Sequence, residues 1–184
     1  MTFDPNQLIE KSKRGDAKAY GILVENYSQY LFSVVFRIIN DELTAEDLVQ
    51  ETFIKAWLKI KEYHSNKSKF TTWLYTIATR ICLDRLKSNK NLVTLSYDRQ
   101  LLFDVEKSPD EKLENKEIGG IISLLSDNLS AHQKMIFVLR DLEGLDVSEV
   151  RQITGFTEKK INDTLYVARL NVRKMLAEYL KSEV

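Results

Sequence analysis

Apolar residues recur along this chain at steps of three and four and almost nowhere in strict alternation, the signature of amphipathic helices rather than strands. Asp4 is placed to cap a short first helix that breaks at Gly15, and Asp16 to cap a long second one from Ala17 to about Ile39. Tyr20, Leu23, Val24, Tyr27, Leu31, Val34, Val35 and Ile38 give that second helix a core face. A third helix is expected from Thr44, where Thr44 with Asp47 three residues on makes a capping-box-like start. At about 100° per residue its Val49, Phe53, Ala56 and Ile60 fall on one side. Asp47, Gln50, Glu51 and Ile54 fall on another, with Trp57 at the boundary.

A fourth helix opens near Phe70 and turns Trp73, Ile77 and Ile81 inward. Thr72, Thr76, Thr79, Arg80 and Lys87 share a different face, interrupted by Leu83. Residues 91–110 show no helical period, and Ser108-Pro109-Asp110 is a turn or helix-start signal, so this stretch reads as a linker. Beyond it, Ile118, Ile121, Ile122, Leu124 and Leu125 form an apolar side, and Ser130 caps a helix carrying Met135, Ile136, Val138 and Leu139. From Asp146 a short helix stops at Gly155, and Thr157 caps a second in which Ile161, Leu165, Ala168 and Val172 face inward. Two helices around a glycine turn make a helix-turn-helix pattern. The expected fold is all-α: a helical domain at 1–90, a flexible linker at 91–110, and a second helical domain at 111–184.

Composition changes this picture little. The chain has 184 residues, 43% hydrophobic and 29% charged, with two Pro and six Gly, ordinary for a globular protein of one or two small domains. No apolar run is long enough to cross a bilayer and the N-terminus lacks a signal-peptide pattern, so a cytoplasmic protein without membrane insertion is expected. The single cysteine, Cys82, reads as a small core residue.

Charge changes it more. The whole chain is neutral, but between Lys55 and Lys90 nine Lys and Arg stand against Glu62 and Asp84, a net +7. Such local asymmetry favours a polyanion partner. Hydroxyls and cations along the Thr72, Thr76, Arg80 and Lys87 stripe suit phosphates and base edges, with Lys67, Lys69 and Phe70 at its leading end. Phe70 admits two readings, stacking against an unpaired base or packing inside; Trp73 reads as core. Ile54 and Trp57 ringed by Asp47, Gln50 and Glu51 suggest a docking surface, although carboxylates in a helix's first turn also suit its dipole and a solvated face. In the last helix Lys159, Lys160, Asn162, Asp163, Tyr166 and Arg169 are left outward, where such a helix enters a major groove. From Asp98 to Glu117 the net charge is −3. That segment reads as a solvated tether.

The ordered run Asp47-Leu48-Val49-Gln50-Glu51-Thr52-Phe53, then Phe70-Thr71-Thr72-Trp73-Leu74, Ile77-Ala78 and Asp84-Arg85-Leu86-Lys87, resembles region 2 of the extracytoplasmic-function (ECF) group of bacterial sigma-70-type factors. Leu129-Ser130, Phe137 to Gly144, the helix-turn-helix and Ala168-Arg169 are similar to sigma region 4, so the resemblance covers essentially the whole chain outside the linker. It implies a transcription initiation factor, not an enzyme, that brings bacterial core RNA polymerase to promoters without a cofactor or metal. By resemblance, Asp47, Gln50, Glu51, Ile54 and Trp57 dock on the clamp helices of the largest subunit. The resemblance also implies that Lys67, Lys69, Phe70, Thr72, Thr76, Arg80 and Lys87 hold the opened −10 element, and that Lys159, Lys160, Asn162, Asp163, Tyr166 and Arg169 meet the −35 duplex. The flap of the second-largest subunit and an anti-sigma factor are further partners it allows.

Two departures stand out. Arg80 replaces a common Asn, moving readout toward phosphate or guanine, and Asn162 and Asp163 stand where the family is richer in Lys and Arg. Rival readings are a stand-alone helix-turn-helix regulator that binds duplex unaided and a structural helical adaptor. Neither metal-ligand spacing around His64 and His132 nor a phosphate-binding loop supports an enzyme, and Asp47 with Glu51 has no recognisable catalytic partner.

Overall fold

The computed structural model describes residues 4–93 and 128–182, and every regular element among them is helical. Helix α1 (Pro5–Lys13) starts as expected, with the Asp4 carboxylate accepting from the Asn6 and Gln7 amides and Pro5 in the first turn. Asp16 accepts from Lys18 and Ala19 to open α2 (Ala17–Ile39), which buries Leu23, Leu31, Val34, Val35 and Ile38. Its end is set by Asn40 in the left-handed region at φ 57°, whose amide donates to the Phe36 carbonyl at 2.7 Å.

Helix α3 (Glu42–Lys59) departs from expectation at its start. The cap is Asp41, whose side chain accepts from the Thr44 amide at 2.9 Å, so the helix begins two residues before Thr44 and Thr44 lies inside its first turn. The acidic side chain at 41 outcompetes the hydroxyl at 44 because the chain has already turned at Asn40. The apolar face is as read: Val49, Phe53, Ala56 and Ile60 are buried, joined by Leu48 and Thr52. A 3₁₀ turn (Ile60–Glu62) and an irregular basic turn lead to α4 (Phe70–Val93). This helix continues through 91–93, three residues into the stretch expected to be linker; the rest of that linker, and the apolar segment at 118–125, lie outside the described residues.

The C-terminal elements are α5 (Ala131–Phe137), a π-helical continuation (Val138–Leu142), α6 (Val147–Thr154) and α7 (Glu158–Ser182). Ser130 and Gln133 form a reciprocal capping box on α5, and Asp146 with Glu149 another on α6. Gly155 ends α6 at φ 71°, and Thr157 accepts from the Lys160 amide to open α7, which buries Ile161, Leu165, Ala168 and Val172.

The apolar core runs without a break from α1 through α7. Helix α4 is where the two halves meet, packing on α2 and α3 on one side and on α6 and α5 on the other. Its buried arc is therefore wider than an amphipathic helix with one partner needs. Phe70, Leu74, Ala78 and Ile81 lie on one part of that arc, and Thr72, Tyr75 and Thr79 on the rest.

Candidate nucleic-acid interface

Helix α3 presents its second face openly. Asp47 and Gln50 are exposed, Glu51 is half-exposed and paired with Lys55 at 2.7 Å, and Ile54 is 61% exposed. Trp57 is half-buried, its ring 4.9 Å from that of Tyr20, whose hydroxyl donates to the Phe53 carbonyl. Burial raises the Tyr20 phenol, which stays protonated and keeps this anchor in place. Sequence reasoning missed two members of the stripe. Leu43 and Leu58 are each at least three-quarters exposed on the same line of the helix as Asp47 and Ile54. The steps from 43 to 47 and from 54 to 58 were the signal.

The basic turn leads into a cleft of about 550 Å3 bordered by Tyr27, Tyr63, Phe70, Lys69, Ser65 and Thr71. Its aromatic wall is rigid: Phe70 meets Tyr27 at 5.3 Å and Tyr63 at 5.4 Å between centroids, both edge to face, and Tyr63 donates to the Ser68 carbonyl. This corrects the stacking reading of Phe70. At 5% exposure its ring is committed to neighbouring aromatics and supports the cleft from within. Trp73 joins the same cluster and is half-buried.

The hydroxyl stripe needs a similar correction. Thr72 is 3% exposed and Thr79 as deeply buried, while Thr76 is half-buried and donates to the Thr72 carbonyl. Thr79 likewise donates to the Tyr75 carbonyl. A threonine in mid-helix satisfies its hydroxyl on the preceding turn, which lets it pack as a β-branched apolar residue. Lys67, Arg80 and Lys87 are exposed. Lys69 is exposed but paired with Glu149 of α6 at 2.9 Å, which raises the ammonium above its ordinary value.

On α7 all six outward residues, Lys159, Lys160, Asn162, Asp163, Tyr166 and Arg169, are exposed. Two are already held in place. The Arg169 guanidinium grips Asp141 with bonds of 2.8 and 2.6 Å, and the Lys160 ammonium sits 3.9 Å from the Phe156 ring centroid. Val167 and Leu170 extend the Tyr166 surface with exposed apolar groups.

The Sigma-70 region 2 family model matches residues 23–92, the span from α2 through α4 that carries the acidic stripe, the basic turn and the cleft. Over 174 residues the chain is 29% identical to the ECF RNA polymerase sigma factor BldN of Streptomyces coelicolor, spanning 94% of this chain and 66% of the relative. It is 26% identical to the ECF RNA polymerase sigma factor SigW of Bacillus subtilis, spanning 92% of this chain and 95% of that one. Residues 23–92 carry the sigma-70 region 2 domain, and over nearly its whole length the chain is similar to ECF sigma factors. Among solved structures, CnrH in complex with the cytosolic domain of CnrY superposes with a TM-score of 0.67, at 20% identity over 95% of this factor and 99% of that chain. RpoE in complex with the anti-sigma factor NepR from Bartonella quintana gives 0.69, at 20% identity over 88% and 98%. These two establish the fold across both halves.

Proposed function

We propose that this sigma factor binds core RNA polymerase through the exposed stripe of α3 and directs it to promoter DNA for initiation. The single observation that carries the docking assignment is the composition of that stripe. Apolar Ile54, with Trp57 at its edge, is ringed by Asp47, Gln50 and Glu51 on a helix whose opposite face is fully used by the core. The printed names of the relatives, RNA polymerase sigma factors, support the same partner.

In this reading the factor divides into a region 2 domain at 1–90 and a region 4 domain at 111–184 joined by a linker. Lys67, Lys69, Arg80 and Lys87 engage the backbone of the melted −10 element, with Thr76 beside them. The aromatic cleft accepts a base whose unstacking costs on the order of a few kcal/mol. The six outward residues of α7 meet the −35 duplex. Arg80 favours phosphate or guanine, and Asp163 is compatible with DNA where it accepts from a cytosine amino group. The factor performs no chemistry of its own and works in the cytoplasm alongside the polymerase; no helix among the described residues is long and apolar enough to cross a membrane. Solved relatives bound to anti-sigma partners support the same kind of inhibitor here.

The test is co-purification with core enzyme. Exchanging Asp47 and Glu51 for Lys is expected to abolish retention with helicity unchanged, and undiminished binding refutes the docking face. A gel shift with and without core then separates a sigma factor, which needs core for strong promoter binding, from a stand-alone regulator, which does not.

A further inference from the structure

Along the outward side of α7 two rows of side chains run at steps of four, Lys159, Asp163 and Val167 in one, Leu170, Lys174 and Glu178 in the other. All six are exposed, Val167 by 41% and Leu170 by 44%, with Tyr166 beside them at 65%. The opposite side of the helix is spent on the core, where Ile161, Leu165, Ala168 and Val172 are buried. Lys159 stands one turn from Asp163, and Lys174 one turn from Glu178. Among the described residues, none of these four charges is nonetheless ion-paired.

Read along the helix, the stripe runs base, acid, apolar, apolar, base, acid. Turned end for end, it complements itself. Lys159 and Glu178, Asp163 and Lys174, and Val167 and Leu170 are each placed symmetrically about the point between Ala168 and Arg169. Two copies of α7 laid antiparallel across a two-fold axis at that point bring every cation opposite a carboxylate and join the aliphatic side chains at the centre. Laid parallel and in register, the same helices set Asp163 against Asp163 and Lys174 against Lys174. Toward phosphate Asp163 is repulsive, and Val167 and Leu170 bring no charge. Toward a second α7 each of them has a counterpart.

We propose that a second copy of this chain docks on α7, antiparallel and centred between Ala168 and Arg169, with Val167 against Leu170 and the Asp163–Lys174 and Lys159–Glu178 pairs outside them. The symmetry makes every contact twice. The stripe from 159 to 178 is about 30 Å long, which places the contact at the small end of specific interfaces and makes the pair transient and concentration-dependent. Its exposed ion pairs fix direction and register, while the apolar centre supplies most of the attraction. Lys159, Asp163 and Tyr166 are among the residues that the functional reading turns toward the −35 duplex, so a paired factor does not offer them to DNA. That consequence alone rests on the functional reading; the pairing rests on the helix.

The test is sedimentation equilibrium of the full chain at low salt, without polymerase or DNA, from sub-micromolar to high-micromolar concentration. Wild type is expected to pass from monomer to dimer across that range. Asp163→Lys and Lys174→Asp each set like charges opposite one another twice per dimer, and each is expected to weaken self-association by about tenfold or more with helicity unchanged. An equimolar mixture of the two variants restores opposite charges at both positions, and so does the double swap in one chain. Both are expected to recover association to within about threefold of wild type. Glu25→Lys, the same change of charge as Asp163→Lys at an exposed position on α2, is expected to leave association unaltered. Wild type that stays monomeric throughout overturns the pair and leaves the stripe to duplex. Dimers that both single variants form as well as wild type does overturn α7 as the contact. Weakened single variants that neither the mixture nor the swap rescues overturn the antiparallel register. No readout involves DNA or polymerase, so the functional reading stands or falls separately.

Discussion

Gly155 shows how much a single residue's chemistry fixes. Its φ of 71° is costly for a side chain, yet a Cβ there would touch nothing, so the penalty of a substitution is conformational rather than steric. Gly155→Ala is expected to lower stability by about 1 kcal/mol in urea unfolding, with α6 and α7 still formed. Cys82 is the opposite case, decided by its surroundings. Burial pushes its thiol up to about 12, so almost no thiolate exists near neutrality. Iodoacetamide at mildly alkaline pH is expected to leave Cys82 unmodified in the folded factor and to alkylate it fully in denaturant, as read by intact mass. Both assignments were legible in the sequence, one from a glycine stopping a periodic run and the other from a cysteine inside an apolar helix. Phe70 and Thr72 were not. An aromatic and a threonine beside a basic turn carry the same local signature whether they face solvent or a packed interior.

At the scale of one element, α3 divides its circumference between a buried core face and the open stripe proposed for docking. The core face is full, so the open stripe can be changed at little structural cost. Its Glu51–Lys55 pair is solvent-exposed and of the i, i+4 kind that contributes little net stability. Leu58, 75% exposed, should behave as part of the docking surface. Leu58→Asp is expected to reduce retention of the factor on core enzyme severalfold while leaving the thermal midpoint unchanged; a lowered midpoint with normal retention would assign Leu58 to folding instead. The periodicity located this helix and both of its faces. It misplaced the start by two residues because Thr44 and Asp41 both offer an oxygen acceptor, and only the turn at Asn40 decides which one meets a free amide.

At the scale of the whole molecule, α4 serves two masters. The junction it makes brings Lys87 of α4 and Lys160 of α7 close enough to His132 of α5 to act on it. Burial first, and then those two cations, lower the imidazole below its ordinary value. A lowered histidine means that the unfolded chain takes up its proton first as pH falls. This contribution is therefore intact above the ordinary histidine range and is lost as pH drops through it toward the lowered value. The urea midpoint is expected to fall between about pH 7.5 and about pH 5.5, and His132→Phe to flatten that dependence. Glu10 and Asp146, whose carboxyls are held below their usual range by Lys13 and by the Glu149 amide respectively, lose their contribution only at more acidic pH.

The chain's own order of residues determined the helices, their caps, the inward faces and the concentration of cations between Lys55 and Lys90, because each follows from interactions within a turn or two of helix. Which face of α4 is open was decided only in three dimensions. Lys69 finds Glu149 and Arg37 finds Glu143 across 80 and 106 positions, and a single-sequence periodicity holds no information about a partner so distant. Burial of Thr72 and Thr79 is thus set by what packs against α4, not by the spacing of its own residues.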